Sequence, residues 1–141
     1  MDTLLEKEQY ILIYRVSYLT LCTALYAIYR KYYILSSLPT FIFLSSINYW
    51  RYPTYSWRRT LDIIVVKSSF LIQDIVVYNA EYANLYYCIH MLTLICYISG
   101  LYYHDKNTWV STYCHLSVHV VANIGNIVLY SGAIDSVGFL S

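Results

Sequence analysis

The chain has 141 residues, only 12% of them charged, and a formal net charge of +1. A soluble domain carries about 25% charged residues, and a nucleic-acid binder needs a basic field that this balance does not supply. Disordered chains and disulfide-stapled secreted modules are excluded by the same composition, which leaves a membrane protein.

Gaps between charges mark the predicted spans, each of which needs roughly 20 mostly apolar residues. The first, 10–29, is apolar except for Arg15. The second, 32–50, holds no charge between Lys31 and Arg51. The third, 60–80, is less pure and carries Asp62, Lys67 and Asp74. The fourth, 82–104, is uncharged between Glu81 and Asp105. The fifth, 108–131, lies inside the uncharged run from Lys106 to Asp135. Connections between them are short, and lipid does not tolerate irregular backbone. The expected fold is therefore all-α: a polytopic transmembrane helix bundle of about five spans, one integral membrane domain over 1–141.

Nineteen of the apolar residues are Tyr, so the apolar share alone decides little. Many of these Tyr fall at span ends, including Tyr29, Tyr33, Tyr49, Tyr52, Tyr55, Tyr78, Tyr102 and Tyr130. That is where interfacial aromatic belts form. All three Trp fall near one predicted interface. Lys7, Arg51, Arg58, Arg59 and Lys106 share one side, against Arg30 and Lys31 on the other. The positive-inside rule then places the N-terminus in the cytoplasm and, with five spans, the C-terminus outside. The opening MDTLLEKEQ is a poor cleavable signal, and neither terminus carries a lipidation pattern. Cys22, Cys88, Cys96 and Cys114 sit within spans and read as small apolar fillers. Gly125 and Gly132 share a helix face that would admit a close neighbour.

An ionisable residue inside a span is expensive and points to function. Span five is the most informative. At 100° per residue, Thr108, Ser111, Thr112, His115, His119, Ala122 and Asn126 form one stripe, with Asn123 at its edge. Tyr113, Val120, Ile124 and Ile127 face the other way. His115 and His119 are four apart, so both imidazoles point in one direction. Two helical zinc ligands need that spacing, and so do two interhelical hydrogen bonds. In span three, Lys67 and Asp74 share a face and are expected to pair within the bundle or with Arg15. Asp62 is expected in the first turn of its span, neutralised by the Arg58–Arg59 cluster or facing a site. Ser45 and Tyr49 end span two at the same depth, so polar groups of three helices converge towards the cytoplasmic side.

The order Ser45-x-x-x-Tyr49, then Asp62, then His115-x-x-x-His119 resembles the alkaline ceramidase, progestin and adipoQ receptor and haemolysin III superfamily. The resemblance implies seven spans, three zinc-binding His and, in the enzymes, hydrolysis of lipid amides. Ser45 and Asp62 would be its catalytic residues, and His115, His119 and Asp62 its metal ligands. Tyr49 stands where the family has its first His, so a third ligand would come from Asp62, His104 or His90. The stretch SSINYWRYPTYSWRRTLDI also resembles small membrane proteins of large DNA viruses and protists. The missing His favours a non-enzymatic relative with a cytoplasm-facing His/Asp site. The alternatives are a zinc-dependent lipid-amide hydrolase, a proton or ion pathway needing a homo-oligomer, and a viral membrane scaffold. The partner common to these readings is membrane lipid, with no nucleic acid.

Overall fold

The computed structural model describes residues 3–134. Asp135, Gly138 and the C-terminus lie outside the described residues. Among the described residues there are six helical segments: α1 (Lys7–Val16), α2 (Tyr18–Tyr29), α3 (Tyr33–Trp50), α4 (Trp57–Val76), α5 (Ala83–Tyr103) and α6 (Thr108–Ser131). No strand occurs among the described residues. α1 and α2 run on as one rod through Ser17, which keeps right-handed helical backbone and donates through Oγ to the Ile13 carbonyl at 2.9 Å. Five helical rods therefore follow the order of the five predicted segments. Two of them, Lys7–Tyr29 and Ala83–Tyr103, are long and apolar enough to cross a membrane. The polar stripe of α6 and the charges of α4 dilute those rods.

The predicted third span is displaced. Helix α4 starts at Trp57 and ends at Val76, not at 60 and 80. Ser56 is extended, and helical backbone begins immediately after it, taking in Trp57, Arg58 and Arg59. Arg58 donates to the Asn48 and Tyr52 carbonyls at 3.3 and 3.1 Å, covering the end of α3. At its other end Val77 leaves helical geometry, and Ala80 N–H bonds the Val77 carbonyl in a turn. Asp62 consequently sits in the second turn of its helix, deeper than the sequence suggests. The turn between α2 and α3 is made by Lys31 at φ 66°, a left-handed conformation that costs a non-glycine residue about 1–2 kcal/mol. Asn107 caps α6 by accepting from Val110 N–H.

The rods run up and down, and their ends meet in two groups. At one end, Leu4 N–H bonds the Pro53 carbonyl, and Ser111 Oγ bonds the Gly100 carbonyl. At the other, Arg30 donates to the Ser131 carbonyl, and Tyr32 to that of Gly132. Glu81 and Ala133 exchange two bonds there as well. Each end is sealed by an apolar cluster. Ile13, Tyr49 and Trp50 close the first. Ala27, Leu35, Val77, Tyr86, Leu129 and Tyr130 belong to the second. Tyr49, Trp50 and Tyr130 are therefore buried, whereas Tyr29, Tyr33, Tyr55, Tyr78 and Tyr102 stay exposed as an interfacial belt requires.

Between the two clusters many of the buried side chains are polar. Thr20, Thr23, Ser45, Ser46, Asp62, Gln73, Thr112, His119, Asn123 and Asn126 are buried, whereas Leu25, Phe41, Ile64, Leu71, Ile98 and Ile124 face outward. α6 is the central helix, packed on α1, α2 and α5. The closest pairing is α5 with α6, where a Cβ on Gly125 would stand 3.1 Å from Ile89 Cγ2. α4 packs backbone to backbone mainly on α3 and reaches α5 and α6 through side chains.

Candidate functional site

The polar stripe of α6 turns inward, as its periodicity predicts. Asn123 Nδ2 donates to Thr20 Oγ1 at 3.2 Å, and Thr23 Oγ1 donates to Asn123 Oδ1 at 2.6 Å. These bonds fasten α2 to α6. Three residues on, Asn126 Oδ1 accepts from Gln73 Nε2 at 2.6 Å. Gln73 also donates to Tyr86 Oη and accepts from Tyr130 Oη. Gln73 thus ties α4 to both α5 and α6. The sequence offered no pattern that singles it out.

A cavity of about 200 Å³ lies in the middle of the bundle, walled by α2 to α6. Its lining is mostly apolar, with Ile42, Ile63, Val66, Leu94 and Val118 among the contributors. Asp62, Lys67, His90, His115 and His119 interrupt that lining. A second cavity of about 160 Å³ lies between the first and the Leu4–Tyr55 end, with Arg59 and His104 in its wall. The two share Asp62, Ile63, Tyr97 and His115.

Asp62 is buried, and its Oδ1 accepts from Ser45 Oγ and Ser46 Oγ, each at 2.8 Å. Ser45 was expected here. Ser46 was not, although the Ser-Ser pair one helix upstream was the available signal. Neither Arg58 nor Arg59 neutralises Asp62. Arg58 covers the end of α3, and Arg59 lies over the Tyr55 ring. The second carboxylate oxygen takes no donor among the described residues. The His115 ring lies between Trp50 and His119, tilted by 56° and 62° to them at centroid distances of 4.8 and 5.1 Å. The rings of His115 and His119 make no hydrogen bond among the described residues; Asn123 reaches only the His119 backbone carbonyl. Trp50 Nε1 is buried without a partner.

The charged residues of the third span do not pair as expected. Lys67 is exposed at the rim of the cavity, and Arg15 is exposed on α1. Asp74 pairs instead with His90, whose Nδ1 lies 3.1 Å from Asp74 Oδ1 and 3.2 Å from Tyr86 Oη. The reason is geometric: seven residues along one helix separate side chains by about 10 Å.

The zinc site implied by the superfamily resemblance needs three protein ligands and an open position. His115 and His119 supply two. Among the described residues no group of three or more His, Cys, Asp and Glu is gathered closely enough to hold a metal. Asp62 lines the same cavity as His115 and His119, and His104 and His90 lie in the wall of one cavity each. Ser45 donates to a carboxylate and to the Ile42 carbonyl, with no imidazole to take its proton. Protein-family models, curated proteins and solved structures give no match to this chain.

Proposed function

We propose that the chain is a five-span membrane bundle with a cytoplasmic N-terminus that binds an amphipathic molecule in its central cavity without transforming it. The outward-facing Leu, Ile and Phe side chains and the polar interior support immersion in lipid. The excess of Lys and Arg at the Leu4–Tyr55 end supports the orientation.

One observation carries the binding reading. A largely apolar cavity lying between two packed clusters holds a carboxylate with one oxygen that takes no donor among the described residues, and two imidazoles without a hydrogen bond among them. Small-molecule sites have this character: apolar walls with a few placed polar groups. Hydrolysis finds less support because Ser45 shares its one proton acceptor, Asp62 Oδ1, with Ser46 and has no imidazole beside it. Ion conduction finds less because most of the wall is apolar.

The test is photo-crosslinking of the full chain in lipid nanodiscs with a long-chain alcohol bearing a diazirine. Crosslinks at Val118 and Leu94, suppressed when Val118→Trp fills the cavity, are expected. Crosslinks confined to outward residues such as Ile64 and Ile98 would overturn the reading.

A further inference from the structure

Asp62 raises a specific question of charge. A carboxylate removed from water is costly unless a cation or enough donors compensate it. Here one oxygen holds both seryl hydroxyls and the other holds none among the described residues. The nearest arginines are committed elsewhere, Arg58 to two carbonyls and Arg59 to the face of Tyr55. Arg59 shares the wall of the second cavity with Asp62, and Lys67 that of the first. Tyr97 lines both cavities with Asp62, while Trp50, His115 and His119 stand in a row of tilted rings. A carboxylate oxygen without a donor in an apolar wall is the chemistry that pairs with an ammonium group.

The shape of the space adds a second constraint. Neither cavity alone reaches the roughly 300 Å³ at which pockets for drug-sized molecules begin. The two share Asp62 and His115 in their walls, so an extended chain seated on Asp62 would run along Ile42, Val66 and Val118 of the first cavity.

We infer that the molecule bound in the cavity is a long-chain amine, its ammonium seated on Asp62 and its single apolar chain in the central cavity. This inference rests on the binding function proposed above and specifies its ligand class. Lys67 stands at the rim, on the cavity's exposed side. An anionic head would be drawn there, away from Asp62, and that is the competing arrangement the test must separate.

The experiment compares dodecylamine, dodecanol and dodecanoate as competitors of Val118 crosslinking, at matched bilayer concentrations in zwitterionic nanodiscs. The amine is expected to compete at a concentration roughly tenfold or more below the alcohol, the gain of a charge-assisted contact. Asp62→Asn is expected to erase the ratio between amine and alcohol competition, and Asp62→Glu to retain it. The comparison on the unsubstituted protein stands even if D62N fails to fold. Equal competition by amine and alcohol, preference for dodecanoate, or an amine advantage that survives D62N would overturn the assignment while leaving the cavity function intact. Absence of any Val118 crosslink would overturn both.

Discussion

Replacing Gln73 by Ala tests how α4 is held in the bundle. Gln73 makes three interhelical bonds, to Asn126, Tyr86 and Tyr130. Interhelical hydrogen bonds in membrane bundles average about 0.6 kcal/mol each, which gives roughly 2 kcal/mol for the set. Removing the partner also leaves Asn126 Oδ1 and Tyr130 Oη unpaired, and orphaned buried polar groups cost about 1–3 kcal/mol apiece. The orphaned pair sets the scale, so the expected loss is roughly 2–6 kcal/mol, measured as the fall in unfolding free energy in a single detergent. The Gln73→Ala/Asn126→Ala cycle should show coupling of about 1 kcal/mol, since the two changes remove one bond. A loss below about 0.5 kcal/mol would refute the reasoning, because other contacts would then hold α4 to α6.

The α5–α6 seam gives a paired prediction. Gly125→Val should destabilise by about 1–3 kcal/mol through crowding of Ile89. Gly100→Ala, whose Cβ would meet Cys114 at 3.4 Å, should be neutral or stabilising by up to about 1 kcal/mol in the same unfolding assay. For topology, a chain with its four native Cys replaced and Tyr55→Cys added should react with an impermeant maleimide from the cytoplasmic face; Asn79→Cys should react from the opposite face. Reversal of that pattern would refute the orientation. Metal analysis of the purified protein should find substoichiometric zinc, unchanged by His115→Ala with His119→Ala. One zinc per chain, lost in the double variant, would overturn the metal-free reading.

The rods were legible in the sequence because charge gaps and helix length follow from the same solvent constraint. The inward face of α6 was legible because Thr112, His115, His119, Asn123 and Asn126 repeat at helical spacing. The pairings between rods were not. Asp74 shares a face with Lys67, yet its partner is His90 on another helix. Relative register of two rods is set by packing, which one-dimensional periodicity does not encode. Tyr was ambiguous for a related reason. Its ring suits a core and its hydroxyl suits an interface, so Tyr130 and Tyr102 look alike in sequence while one is buried and the other exposed. Depth alone brought Asp62, His115 and His119 to one level, where they line one cavity and Ser45 bonds Asp62. Ser46 and Gln73 were not, because a single polar residue carries no period.

Asn123 and Asn126 are three residues apart on α6, so they diverge by about 60° around its axis. One bonds α2 and the other bonds α4. Any twist of α6 large enough to exchange these neighbours, or a slide by one residue, breaks both attachments together. The two amides therefore act as a two-pin key that fixes rotation, depth and the order of helices around the centre. An oil-like interior would supply no such discrimination within lipid, where every apolar face already has an equivalent neighbour. The hydrophilic interior is what makes one arrangement of these rods unique.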